Sequence, residues 1–166
     1  NNGVYRYDRN SDQFEKIYDP VSHIKVDKAN NVWIRIKEKW SILNTQTGEL
    51  NTPNYDGKAA GGVNTAFCIY NNDLYTFIGQ KVYRFNYAKN EFVFCLTLPD
   101  SDGNIRFAQA YMGKLWIFVN NSGLYKIDMS TYEIEDHYTL LTDYEGNSLR
   151  TFYIDKKGYI WFGTID

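Results

Sequence analysis

A recurrence constrains this chain more than any other feature. Asp155-Lys156-Lys157-Gly158-Tyr159-Ile160-Trp161-Phe162-Gly163 is a polar turn followed by alternating large apolar residues, with a Trp at strand spacing. Upstream versions run from Asp27 to Ile34, Tyr70 to Phe77 and Tyr111 to Phe118. Their aromatic anchors, Trp33, Tyr75, Trp116 and Trp161, are separated by 42, 41 and 45 residues. A period in the forties with about four strands per unit is how a propeller blade is written in sequence. Each unit buries its faces only by stacking on its neighbours.

A second motif lies between these copies. Gly3-Val4-Tyr5-Arg6-Tyr7-Asp8 leads through a polar turn to Phe14, and the same frame gives Trp40–Asn44 to Leu50, Val82–Asn86 to Phe92, and Leu124–Asp128 to Ile134. In every copy an Asp or Asn precedes the next apolar anchor by six residues. Those side chains hydrogen-bond the backbone of their own turn and open a hairpin. Ahead of each Trp-type motif runs a short apolar stretch: Val21 to Asp27, Asn64 to Tyr70, Ile105 to Tyr111 and Leu149 to Asp155. Ile24 and Val26 align there with Phe67 and Ile69, Ala108 and Ala110, and Phe152 and Ile154, one constant face opposite a variable one. Alternation with period two means strand, and no window carries a capped 3.6-residue stripe, so no helix is expected.

The fold expected is therefore all-β, a β-propeller segment of four-stranded antiparallel blades. With strands A to D counted from the axis outward, three full blades occupy 21–52, 64–96 and 105–138. A half-blade of C and D strands lies at 3–18, and one of A and B strands at 149–163. The segment 1–166 reads as part of a larger propeller rather than a closed four-bladed ring, and the opening Asn1-Asn2 without Met points the same way.

Composition agrees and excludes some functions. A 43% hydrophobic and 17% aromatic chain suits half-buried pleated surfaces. A net charge of −2 with no basic block disfavours nucleic acid. No apolar run reaches the length of a membrane span, so the segment itself is expected to make no membrane contact. Cys68 falls on an innermost strand and Cys95 on the outermost strand of the same blade. Three strand spacings put them roughly 14 Å apart, where a bridge needs Cα atoms within about 7 Å. Both read as small hydrophobes. His23 and His137 have no acidic or Cys partner at ligand spacing, and no phosphate loop, nucleophile elbow or zinc-helix motif occurs. Neither catalytic residues, metal nor cofactor is expected.

The half-motifs Gly3–Asp8, Gly123-Leu124-Tyr125-Lys126-Ile127-Asp128 and Asp155–Thr164 resemble the two-component regulator propeller repeat, approximately Asp-x-x-Gly-x-Leu-Trp-x-Gly-Thr followed by Gly-Leu-x-x-Tyr-Asp. The likeness runs through the chain at blade period but is weaker in the middle units, where Trp40–Asn44 replaces the second half-motif and Tyr75 replaces Trp. That repeat occurs in the periplasmic sensor region of Bacteroides-type hybrid two-component proteins, ahead of a histidine kinase and response-regulator modules. The resemblance implies an extracytoplasmic sensor, a carbohydrate ligand such as an oligosaccharide, a possible homodimer, and a kinase outside this segment. The alternatives are an interaction scaffold or a propeller enzyme, a lyase or hydrolase, whose site draws on several blades.

Propeller connectivity puts B–C and D–A connections on one face and A–B and C–D turns on the other. The D–A connections vary most, and variable loops on a rigid scaffold are where recognition resides. The residues singled out on that face are Arg35, Lys37 and Trp40, a cation-flanked aromatic suited to stacking on a sugar. To these are added Tyr55 in a Gly-rich excursion, and Arg106 and Arg150 at the starts of A strands. The competing reading makes Trp40 interblade packing, the Tyr55 loop a mobile excursion, and the arginines ion-pair partners.

Overall fold

The computed structural model describes residues 3–36, 39–55, 58–59, 63–99, 103–139 and 149–164; the side chains of 58–59, 63–65, 150 and 164 are left aside. Every described regular element is a strand. The first sheet is the hairpin β1 (Val4–Asp8) and β2 (Gln13–Tyr18). The second orders β3 (His23–Val26), β4 (Val32–Ile36), β5 (Lys39–Leu43) and β6 (Leu50–Asn51) as an antiparallel meander. The third contains β9 (Val63–Tyr70), β10 (Asp73–Ile78), β11 (Lys81–Asn86) and β12 (Glu91–Thr97), and the fourth β13 (Ile105–Tyr111), β14 (Lys114–Val119), β15 (Gly123–Asp128) and β16 (Ile134–Tyr138). The last is the hairpin β17 (Leu149–Ile154) and β18 (Ile160–Thr164).

The third sheet departs from expectation. The stretch from Asn51 to Gly62 reads as a connecting loop, but it contains β7 (Asn54–Tyr55) and β8 (Lys58–Ala59), a small hairpin whose β7 pairs parallel to β12. The sheet therefore has six strands, the added hairpin pairing with β12 at Glu91 and Phe92. An uncovered D strand offers a row of unpaired backbone groups, and this excursion pairs the first two residues of that edge.

Alternation on the strands sends large side chains to both faces, and the sheets stack so that each gap becomes a core. Val4 with Ile34 and Leu43 fills the first gap. Trp33 and Trp40 meet Phe67, Leu74, Tyr83, Phe85 and Phe92 in the second. Tyr75, Phe77 and Val82 meet Leu115, Ile117, Tyr125 and Ile127 in the third, and Phe118 and Leu124 meet Leu149, Phe152 and Phe162 in the fourth. The first strands of successive sheets pack on one another, β9 on β13 and β13 on β17, as strands around a common axis must. Between those inner strands, Gln109 grips the backbone of the next sheet twice: its Nε2 donates to Ile154 O at 3.0 Å and its Oε1 accepts from Ile154 N at 2.8 Å. Neither Cys68 nor Cys95 is in a disulfide, and burial pushes the Cys68 thiol up to about 12, too high for reactivity at neutral pH.

Each hairpin between the third and fourth strands needs one residue in the left-handed region. Asp12, Gly48, Asn90 and Tyr132 occupy that place, at φ 53°, 76°, 52° and 60°. Three of the four are types that tolerate it; Tyr132 is the exception. Its ring is tied to Tyr75 of the preceding sheet, a tyrosine pair that raises the Tyr75 hydroxyl together with burial, the larger cause.

Candidate functional site

The carboxylate that begins the Trp-type motif has a job the sequence pattern alone does not reveal. Asp27 Oδ1 accepts the backbone N–H of Ala29 and Asn31, each at 2.9 Å, which closes the turn. Its Oδ2 accepts the Trp33 indole N–H at 2.9 Å, the Asn31 amide at 2.9 Å and the Tyr87 hydroxyl of the next sheet at 3.0 Å. Asp155 repeats the device: Oδ1 accepts Lys157 N and Tyr159 N, and Oδ2 accepts the Trp161 indole at 3.0 Å. The signal is the six-residue spacing from Asp27 to Trp33 and from Asp155 to Trp161. Where Tyr70 and Tyr111 replace the Asp, the hydroxyl reaches the next sheet instead. Gly113 N donates to Tyr70 Oη at 3.1 Å, and Tyr111 Oη donates to Lys156 O at 3.1 Å. With no Asp at its turn, Trp116 keeps a buried indole N–H without a hydrogen-bond partner.

Burial pushes the Asp27 carboxyl up, but hydrogen bonds from Trp33, Asn31 and Tyr87 outweigh it and hold it below the ordinary carboxylate value. A carboxyl depressed in the folded state contributes stability that is fully present above its unfolded value, near 3.9, and is lost as pH falls through the folded value. Urea midpoints are therefore expected to stay level down to about pH 5 and to fall below about pH 4. Asp27→Ala should lower stability at pH 7 by about 1–3 kcal/mol and make that acid fall shallower. An unchanged acid profile in the variant would remove Asp27 from this account.

The residues expected to bind ligand separate into three groups. Trp40 is only 1% exposed, its ring 4.4 Å from Phe67 and edge-on to His23, so its faces are occupied by the interior. Tyr55 is buried as well, stacked at 4.5 Å on Phe92 and edge-on to Tyr83. Both rings therefore pack against interior neighbours, and Tyr55 sits on a strand that pairs with β12 at Glu91 and Phe92. Arg35 is half-buried on β4, opposite His23 and Trp40, and its backbone carbonyl accepts the Ser22 amide and hydroxyl. Lys37 lies outside the described residues. Arg106 and Arg150 occupy equivalent places. In β13, Ile105 pairs with Val119 and Phe107 with Phe118, which leaves Arg106 as the extra residue of a bulge. In β17, Leu149 pairs with Thr164 and Thr151 with Gly163, and Arg150 is the extra residue. Bulges redirect a side chain out of the pleat and recur beside functional sites.

Concavities lined by described residues lie at the A–B and C–D end, opposite the face singled out from the sequence. One of about 490 Å³ runs from Asn30–Val32 across Ile42–Gln46 to Glu49–Asn51. Another, about 330 Å³, lies between Tyr70, Met112 and Met129 in the gap between the third and fourth sheets.

Residues 143–166 match the family model described as two component regulator propeller. No curated protein matches the chain. Among solved structures, the chain is similar to a protein described as the extracellular domain of a hybrid two component system, BT3049, from Bacteroides thetaiotaomicron. Identity is 18% and the TM-score 0.71, over 98% of this chain and 25% of that one. Virginiamycin B lyase from Staphylococcus aureus gives 14% identity and a TM-score of 0.68, over 99% of this chain and 57% of that one. An auxiliary nutrient binding protein from Bacteroides thetaiotaomicron gives 15% and 0.54, over 82% and 36%. The chain thus spans about a quarter of the length of the first and little over half of the second. At these identities the likeness establishes the propeller fold.

Proposed function

We propose that this chain, which carries a two component regulator propeller repeat at residues 143–166, is a ligand-sensing propeller segment of a hybrid two-component signalling protein. In this reading it lies in the periplasm, recognises a carbohydrate, and passes the signal to a cytoplasmic histidine kinase outside the segment. The observation that carries it is the coincidence of that repeat with fold similarity, across 98% of the chain, to extracellular domains described as parts of such systems. The ligand works by binding one arrangement of a dimeric receptor better than another, since only differential affinity moves such an equilibrium.

The two end hairpins support membership in a larger propeller. Trp33 is covered by Phe85 and Phe92 of the next sheet. The residues that match Phe85 and Phe92 in the first hairpin are Tyr7 and Phe14, which pair with each other at 5.3 Å and stand exposed. The residue that matches Trp33 in the last hairpin, Trp161, is exposed too. Further blades would supply the missing half of each interface.

Calorimetric titration of the chain against a panel of neutral and acidic oligosaccharides tests the reading. At least one saccharide should bind, and mutations on the D–A and B–C face should weaken it. A flat response across the panel would overturn the carbohydrate assignment. The second reading, a propeller enzyme, has the lyase fold likeness in its favour, and consumption of a bound saccharide in the same titration would select it.

A further inference from the structure

We infer that two copies of this chain dock head to tail, the last hairpin of one completing the first sheet of the other as a composite blade. The inference goes beyond the sensor reading above and does not depend on its ligand.

In each of the three larger sheets the third strand pairs with the second on one side and the fourth on the other. The first sheet holds only β1 and β2, a third and a fourth strand, and the last only β17 and β18, a first and a second. What one lacks the other has. The internal register fixes how they meet, since Trp33 pairs with Ile42 across β4 and β5, and Trp116 with Lys126 across β14 and β15. The residue of β1 that matches Ile42 and Lys126 is Arg6, so the same register sets Trp161 of one copy opposite Arg6 of the other. Lys126 Nζ stands 5.8 Å from the centre of the Trp116 ring, and an arginine opposite Trp161 repeats that cation–π contact.

The faces fit as the edges do. Trp33 rests on Phe67, Phe85 and Phe92 of the next sheet. The matching residues of the second sheet are Ile24, Leu43 and Leu50. Leu43 and Leu50 line the 490 Å³ concavity, and Ile24 and Leu50 stand exposed. An incoming Trp161, itself exposed, finds there the seat that Trp33 has one sheet further on. On the donor side, Trp116 clusters with Phe152 and Ile160 of the last hairpin, which has no third or fourth strand to finish its seat. Tyr7 and Phe14 hold those two positions in the first hairpin, and both are exposed. One association therefore buries Tyr7, Phe14, Ile24, Leu50 and Trp161 together.

The polar groups agree. Asp27 Oδ2 takes the Tyr87 hydroxyl of the next sheet beside the Trp33 indole. Asp155 Oδ2 holds the Trp161 indole, and the residue of the second sheet that matches Tyr87 is Thr45, whose hydroxyl can donate in the same way. Lys28 and Tyr87 line one cavity, so the first turn of one sheet abuts the last turn of the next. The composite blade accordingly brings Lys156 and Lys157 to the turn that carries Glu49, and the charges are opposite. Two copies joined at both ends close a ring of eight blades, three whole and one composite from each, within the roughly four to eight that propellers have.

Sedimentation velocity of the chain over a wide range of concentration tests this. A concentration-dependent dimer is expected, and dilution should return a monomer with Trp161 exposed. Trp161→Asp and Phe14→Asp, both at exposed positions, should each weaken the dimer at least about tenfold. Mixing the two variants should restore part of the association, because the first keeps the receiving face and the second keeps the donating hairpin. Contact between like faces cannot be rescued that way. The concentration dependence of the unmodified chain decides the matter even if a variant misfolds. A chain that stays monomeric throughout would overturn the inference and leave both faces to blades of the same polypeptide. A dimer indifferent to both variants, or not rescued by mixing them, would overturn it too. The sensor reading stands or falls separately, on the saccharide titration.

Discussion

Trp33→Ala is expected to lower unfolding free energy by about 3–5 kcal/mol, whereas Trp161→Ala, the same residue of the same motif, should cost under about 1 kcal/mol. Trp33 is fully buried, with Phe85 edge-on at 4.9 Å and Phe67 and Phe92 at 5.7 and 5.8 Å. Removing it opens a cavity between two sheets and leaves the carboxylate of Asp27 short of its indole donor. Trp161 makes the matching bond to Asp155, but its ring is 59% exposed, so there is little burial to lose. Chemical denaturation of the two variants side by side measures the difference. Equal losses would contradict the account in which stacking between sheets, and not the hairpin itself, supplies the stability.

Gly123→Ala is the second large effect, an expected loss of about 2–5 kcal/mol from backbone strain and steric overlap together. Gly123 starts β15 at φ +104°, and a Cβ there would lie 2.2 Å from Tyr138 O, on the paired outer strand. Neither side can yield without breaking the β15–β16 ladder. Gly79, at φ +55° with nothing within 4 Å of its virtual Cβ, is the control. Its change to Ala should cost only the left-handed penalty of about 1–2 kcal/mol. Thermal unfolding of both variants checks the ordering.

The hairpins were legible because their chemistry is local. An Asp or Asn six residues before an apolar anchor announces a turn whichever sheet it joins, and Asp128 Oδ1 caps Ser130 and Thr131 as that pattern implies. Alternation likewise assigned faces: Trp33 and Ile34 point into different cores, as their neighbouring positions require. For the candidate site the residues leave two readings open, Trp40 as a stacking platform or as packing between blades, and Tyr55 in a binding loop or a plain excursion; both side chains are interior. For Tyr55 the cause is non-local: β7 finds a backbone partner in β12, a pairing that no periodicity records.

The sequence by itself determined the period, the hairpins and the two faces of every strand, since each depends on residues a few positions apart. Tertiary structure decided which copies of a motif are buried and which polar groups lack partners. Trp33 and Trp161 are the same letter in the same frame, and among the described residues only Trp33 has a neighbouring sheet packed over it, which makes one core and the other surface.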